Sequence, residues 1–324
     1  MSQFNTLKFK PTLFAPNGHI QTILGSYGRK HHIDFPSHHH IIPLADGDKL
    51  ACEENLPHHW THHHPTVILV HGLAGAHDSL YMVRTAKKLL MEGYRVIRVN
   101  LRACGAGVHL SRRPYHGGLS DDIFTVIKHF HVSSPTVLVG YSLGGNISLK
   151  LAGEQGTALE KFLRGVVVVC SPFDLNRTVD KILSARFGFY EKFFVYYLRA
   201  HYKVWATNHP TLDPPSLPKK MTLIGFDEFH TAPCWGFKGA RHYYHTCSSA
   251  HFIPEIKIPC DIVCALDDPV VDTETIDTLP LPSCIKVWKT EKGGHMGFLG
   301  SLLQDEGMRW MDRTVIKLVS RHLA

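Results

Sequence analysis

The sequence predicts an α/β fold, with a mostly parallel central sheet flanked by helices, on three observations. Unbroken apolar runs recur along the chain, as at 66–70 and 165–170. A strand apolar on both sides is one covered on both faces, which is the habit of parallel sheets. Amphipathic helical patterns separate these runs, and such alternation builds a parallel sheet. Finally, 324 residues with 44% hydrophobic and 19% charged content suit one large domain and exclude a disordered chain. The expected organisation is a single domain over 1–324, with an N-terminal arm over 1–40 and a helical insertion over 174–212.

Residues 8–30 carry two prolines and three glycines, so an extended arm with one helical turn is expected, with no evident task. Weak alternation over 41–56 around Asp46-Gly47-Asp48 predicts a hairpin. Thr66 to Val70 is a buried strand, and His71-Gly72-Leu73-Ala74-Gly75 is the loop after it. A helix over 79–92 places Leu80, Val83, Ala86, Leu89 and Leu90 on one side, and Gly93 ends it. Arg95 to Asn100 is the next strand, and the loop from Leu101 to Gly107 is too glycine-rich for regular structure. A helix capped near Ser120 follows, with Asp121 and Asp122 in its first turn. Gly165 to Cys170 is another buried strand. Residues 174–212 then break the alternation with Phe187, Phe189, Tyr190, Phe193, Phe194, Tyr196, Tyr197, Tyr202 and Trp205, an aromatic helical stretch. Short helices and loops are expected over 221–256, strands at 260–266 and 285–288, and a final helix over 301–322.

The chain is organised around Val137-Leu138-Val139-Gly140-Tyr141-Ser142-Leu143-Gly144-Gly145-Asn146. An apolar strand runs into Gly-x-Ser-x-Gly and then into a helical pattern from Ile147 to Leu151, the form of a nucleophile elbow. The turn holds Ser142 with its Oγ projecting outward, and the helix N-terminus faces any negative charge that develops there. An acyl-transfer serine needs a base and an acid that orients the base. In enzymes with this elbow the chain order is Ser, acid, His. Asp268, in the loop after a late strand and directly before Pro269-Val270, fits the acid, with Asp267 as the fallback. His295, between Gly294 and Met296-Gly297 after the last strand, fits the base. All three follow strand ends on one edge of the sheet, where open parallel sheets form their crevice. Backbone N–H groups of Leu143 and Leu73 are the expected oxyanion hole, each worth about 3–4 kcal/mol.

Charge narrows the partners. The formal net charge of +7 is thinly spread with no Lys/Arg block, so no nucleic-acid partner is expected. Eight cysteines lack any Cys-x-x-Cys pair and read as buried reduced thiols of a cytoplasmic protein. Met1 to Lys10 has no apolar core, so no signal peptide is expected, and no run suits a membrane span. Twenty-five histidines include tracts at 38–40, 58–59 and 62–64. Without fixed ligand spacing they read as solvated turns rather than a metal site. His116 and Asp121 make a His-x4-Asp spacing seen in some acyltransferases, though a histidine packed at a helix start explains it as well. No metal and no cofactor is expected.

Longer motifs carry a resemblance. Phe14 through Gly25 (with His19-Ile20-Gln21-Thr22), His71 to Gly75, Asn100 to Gly105, Tyr115-His116-Gly117-Gly118 and Gly140 to Asn146 stand in the order of one family. So do Phe226-Asp227, Thr231-Ala232-Pro233, Gly236-Phe237, Tyr243-Tyr244, Asp267-Asp268-Pro269 and Gly293 to Phe298. Together they resemble the YheT-like branch of the α/β-hydrolases, related to animal hydrolase-domain proteins that act on lipids. Ala74 stands where that branch often has Glu, and Ala103 where it often has Gly. The resemblance implies the α/β-hydrolase fold and hydrolysis of small ester or lipid substrates without a cofactor. It also makes 174–212 a cap, either lining an acyl-chain pocket or touching a membrane surface peripherally. The expectation is a serine carboxylesterase. An acyltransferase using the same acyl-enzyme and a non-catalytic binding protein are the alternatives.

Overall fold

A computed structural model describes residues 4–28, 32–185, 188–303 and 307–324. Phe187, and Arg29 and Lys30 of the arm, lie outside the described residues.

The strands are β1 (Phe4–Thr6), β2 (Ser37–Pro43), β3 (Lys49–Asn55), β4 (Thr66–Val70), β5 (Arg95–Asn100), β6 (Thr136–Tyr141), β7 (Gly165–Val169), β8 (Cys260–Ala265) and β9 (Ile285–Thr290). They form one nine-stranded sheet in the order β1-β9-β8-β7-β6-β4-β5-β3-β2 among the described residues. β2 and β3 run antiparallel, and all other neighbours except β3–β5 pair in parallel. The unbroken apolar runs explain this centre. Ile68, Leu138, Val166 and Val168 point into one core layer, while Val67, Leu69, Val137, Val139, Val167 and Val169 point into the other. Strand periodicity therefore fills two layers from one run.

The helices are α1 (Gly18–Ser26), α2 (Leu80–Met91), α3 (Ser120–Phe130), α4 (Leu143–Gln155), α5 (Leu175–Ser184), α6 (Phe189–Asn208), α7 (Leu223–Phe226), α8 (Ala232–Trp235), α9 (Ala240–Cys247), α10 (Thr275–Thr278) and α11 (Trp310–Leu323). α2 and α11 cover one face, joined by buried Asp312, which Arg84 Nε meets at 3.1 Å and Lys88 Nζ at 2.8 Å. α3, α4 and the helices between β7 and β8 pack on the other. Those helices continue past residue 212 through a π-helical turn at Asp227–Thr231 and on to α9.

Several expectations change. The arm carries a full helix, α1, capped by Asn17 Oδ1, and β1 adds a parallel edge strand. The His38–His40 tract lies on strand β2, not in a turn, and His39 and His40 pair with Glu53 and Glu54 across the hairpin. Ser120 opens α3 rather than capping it, and its Oγ donates to Glu154. The last helix begins at Trp310, because Leu299 and Arg309 form a β-bridge before it. Six cysteines are buried, but Cys234 and Cys284 are half-buried; all eight are free. Arg102 ties the glycine-rich loop down, bonding Asp122 of α3 through Nε and Nη2 and the hairpin acids Asp46 and Asp48 through Nη1.

Candidate active site

Ser142 follows β6 with φ 50° and ψ −121°, a conformation that a side chain adopts only under strain of about 1–3 kcal/mol. The corner permits it because two glycines are absent of side chains. A Cβ on Gly140 would press on the Gly144 carbonyl, and one on Gly144 would press on the carbonyls of Val70 and His71. The Ser142 N–H donates to the Val169 carbonyl at 2.9 Å, which fixes the elbow to the neighbouring strand.

The loop after β9 brings His295 to the serine. Its Nε2 lies 2.9 Å from Ser142 Oγ, and its Nδ1 lies 2.9 Å from Asp268 Oδ2. Asp268 is buried, and its Oδ1 accepts the N–H groups of Val270 at 2.8 Å and Val271 at 3.0 Å. Asp267 takes a different part: its Oδ1 accepts the Gly294 N–H at 2.8 Å, joining the acid loop to the histidine loop. Burial holds its carboxyl above the ordinary range, against that bond. The chain therefore brings together Ser142, His295 and Asp268, not Asp267.

The two expected oxyanion donors face the same space. Leu73 and Leu143 both line a cavity that opens on Ser142. The neighbouring N–H groups are already used: Gly72 donates to Tyr81 Oη at 2.9 Å and Ala74 to Tyr115 Oη at 2.7 Å. Among the described residues no acceptor meets the N–H of Leu73 or of Leu143.

Other residues at the site were invisible to spacing. His295 N–H donates to Thr22 Oγ1 at 2.8 Å, and Thr22 Oγ1 donates to the Gly18 carbonyl at 2.7 Å. Gln21 clamps the far end of the loop, accepting the Leu299 N–H at 2.6 Å and donating to the carbonyls of Ala15 and Leu299. The arm thus buttresses the histidine loop. The His19 to Thr22 signature was the one signal for it. Cys170 also sits behind the histidine, with φ 50° and its Sγ 3.4 Å from the Met296 nitrogen. Cys170, Asp268 and His295 are the trio of ligating groups within 4.8 Å among the described residues, but His295 and Asp268 are engaged with each other. The histidine tracts contribute to no such group.

His116 is buried against Trp235, Phe237 and Tyr243, and its Nδ1 accepts the Gly118 N–H at 3.0 Å. Burial pushes its pKa down to about 3. Asp121 is exposed, and no bond joins the two among the described residues.

Two cavities meet at Ser142. One runs inward among Leu175, Val179, Ile182, Leu198, Trp205 and Phe226. The other opens outward past His295 among Tyr27, Phe189, Tyr190, Phe193 and Tyr197. Among the described residues no helix is long and apolar enough to cross a membrane.

Comparison with known proteins gives this geometry a context. The chain is 27% identical to the Escherichia coli protein named "Putative esterase YheT", over 98% of this chain and 95% of that one. It is 26% identical to human monoacylglycerol lipase ABHD2, over 95% of this chain and 78% of that one. The Pyrococcus furiosus esterase Pf2001 superposes with a TM-score of 0.56 at 16% identity, covering 90% of this chain and 95% of that one. Residues 65–301 match the family described as the alpha/beta hydrolase fold. That match spans the elbow, both loops of the candidate site and all the central parallel strands, so the chain belongs to the alpha/beta hydrolase family.

Proposed function

We propose that this chain is a serine esterase that hydrolyses carboxylic esters through an acyl-enzyme on Ser142. The observation that carries the reading is the relay of two 2.9 Å contacts from Ser142 Oγ through His295 to Asp268, mounted on a positive-φ elbow. His295 Nε2 takes the Ser142 proton as Oγ attacks the ester carbonyl. The Leu73 and Leu143 N–H groups hold the oxyanion. His295 then returns the proton to the departing alcohol, and water, activated by the same nitrogen, releases the acid. Asp268 keeps the proton on Nδ1, so that Nε2 is free to act as base.

The two cavities divide the substrate. The acyl chain occupies the inward, apolar cavity, and the alcohol leaves by the outward one beside His295. α5 and α6 form the cap. α6 buries Tyr190, Leu198, Tyr202 and Trp205 while exposing Tyr196 and, around the outer mouth, Phe189, Phe193 and Tyr197. Exposed aromatic rings at a site entrance suit peripheral contact with a lipid surface, where such rings settle at the headgroup level. Acyl transfer would use the same acyl-enzyme, but buried His116, bonded to Gly118 and separate from Asp121, lends it no support.

A fluorophosphonate probe should label the wild type and fail on Ser142→Ala. Equal labelling of both would end the proposal. Rates on p-nitrophenyl esters of rising chain length should climb until the inward cavity is filled.

A further inference from the structure

The inward cavity is not uniformly apolar. His201, on α6, faces it, and its buried Nε2 has no hydrogen-bond partner among the described residues. Burial keeps the ring neutral, so the unpaired Nε2 is either a bare acceptor or an N–H donor, according to the tautomer. Of the four tyrosines that line the same cavity, Tyr202 donates to the Pro215 carbonyl and Tyr244 to Asp227, which leaves Tyr115 and Tyr243. Tyr115 Oη accepts the Ala74 N–H, and Tyr243 Oη accepts the Gly117 N–H at 2.9 Å. Each has spent its oxygen as acceptor, and among the described residues no acceptor meets either phenolic proton. The Tyr115 and His201 rings stand edge to face, 5.8 Å between centroids.

A buried polar atom without a partner costs on the order of 1–3 kcal/mol, so a cavity made only for hydrocarbon would not favour one. Candidate ligand groups can be sorted by chemistry. A carbonyl or ether oxygen can only accept, and so pairs with Nε2 in one tautomer alone. A carboxylate or an ammonium would pay the cost of burying its charge. A hydroxyl both donates and accepts, and so pairs with Nε2 in either tautomer.

We infer that His201, with Tyr115, forms a hydroxyl-binding station in the acyl cavity, and that the preferred substrates are esters of hydroxylated acyl chains. This rests on the esterase reading above and narrows it. Such stations discriminate strongly, because the analogue lacking the hydroxyl leaves the protein's polar atom unpaired.

The test compares ethyl hexanoate with ethyl hydroxyhexanoates whose hydroxyl is stepped along the chain, followed by pH-stat titration. The wild type should favour at least one hydroxylated ester by about tenfold or more in kcat/KM. His201→Leu should collapse that ratio, and His201→Gln, which keeps an acceptor, should retain most of it. Fluorophosphonate labelling of Ser142 reports that each variant is folded around its site. If the wild type turns over the plain ester as well as every hydroxylated one, or if the preference survives in His201→Leu, the station is refuted while the esterase reading stands. If the wild type hydrolyses no ester and resists the probe, both fall together.

Discussion

At the scale of single residues, adjacent aspartates divide two tasks. Asp268 Oδ2 meets His295 Nδ1, whereas Asp267 Oδ1 is taken by the Gly294 N–H. On the proposed mechanism, Asp268→Asn presents an amide where the imidazole needs an acceptor and favours the wrong tautomer. The expected loss in kcat is about 10³–10⁴-fold with the fold intact. Asp267→Asn keeps an oxygen for Gly294 and should lose less than about tenfold. Steady-state kinetics on a p-nitrophenyl ester compares them, and equal losses would count against the assignment. The sequence allowed the choice between the two only through position before Pro269-Val270. The physical reason, that Asp268 is fixed by the Val270 and Val271 N–H groups and aimed at the histidine, needs the folded loop.

At the scale of elements, α1 holds the histidine loop from outside the sheet. A Cβ on Gly18 would collide with the Asp267 carbonyl oxygen, so helix and acid loop touch backbone to backbone. Thr22 adds the acceptor for the His295 N–H. Thr22→Val should therefore cut kcat by about tenfold through a misplaced imidazole, with far-UV circular dichroism unchanged and Thr22→Ser near wild type. Full activity in Thr22→Val would show that the loop holds itself. Local pattern could not reveal this element's task. The loop that α1 holds lies 273 residues away along the chain. The central strands were legible because a run such as Thr66–Val70 must be covered on both faces wherever it sits. The boundary of the final helix was not, since the Leu299–Arg309 bridge that delays it is a tertiary contact.

At the scale of the whole molecule, burial of titratable groups sets how the fold answers to acid. His71 and His230 are pushed down to about 4, and His116 to about 3, each by burial first. In the unfolded chain these rings take protons near pH 6.5. Between about pH 6.5 and pH 4 the unfolded chain therefore binds more protons than the folded one, and stability falls as pH falls. The contribution is complete above pH 6.5 and lost on the way to pH 4. Shifts of this size correspond to about 3–5 kcal/mol each at the limit, against a total stability of about 5–15 kcal/mol. Asp227 acts with the opposite sign. Burial raises its carboxyl from 3.8 to about 6, against hydroxyl bonds from Thr231 and Tyr244, so its contribution is present at low pH and lost as pH rises through about 6. Three histidines outweigh one aspartate, and the melting temperature should drop steeply from about pH 7 to about pH 4.5. His230 packs among Tyr202, Trp205 and Phe226, and among the described residues its polar partner is the Cys234 thiol, 3.7 Å from its Nδ1. His230→Leu should accordingly flatten the decline, and Asp227→Asn should steepen it. Melting curves of the three proteins across that range decide the matter: parallel slopes would mean that the acid response arises elsewhere than in these buried groups.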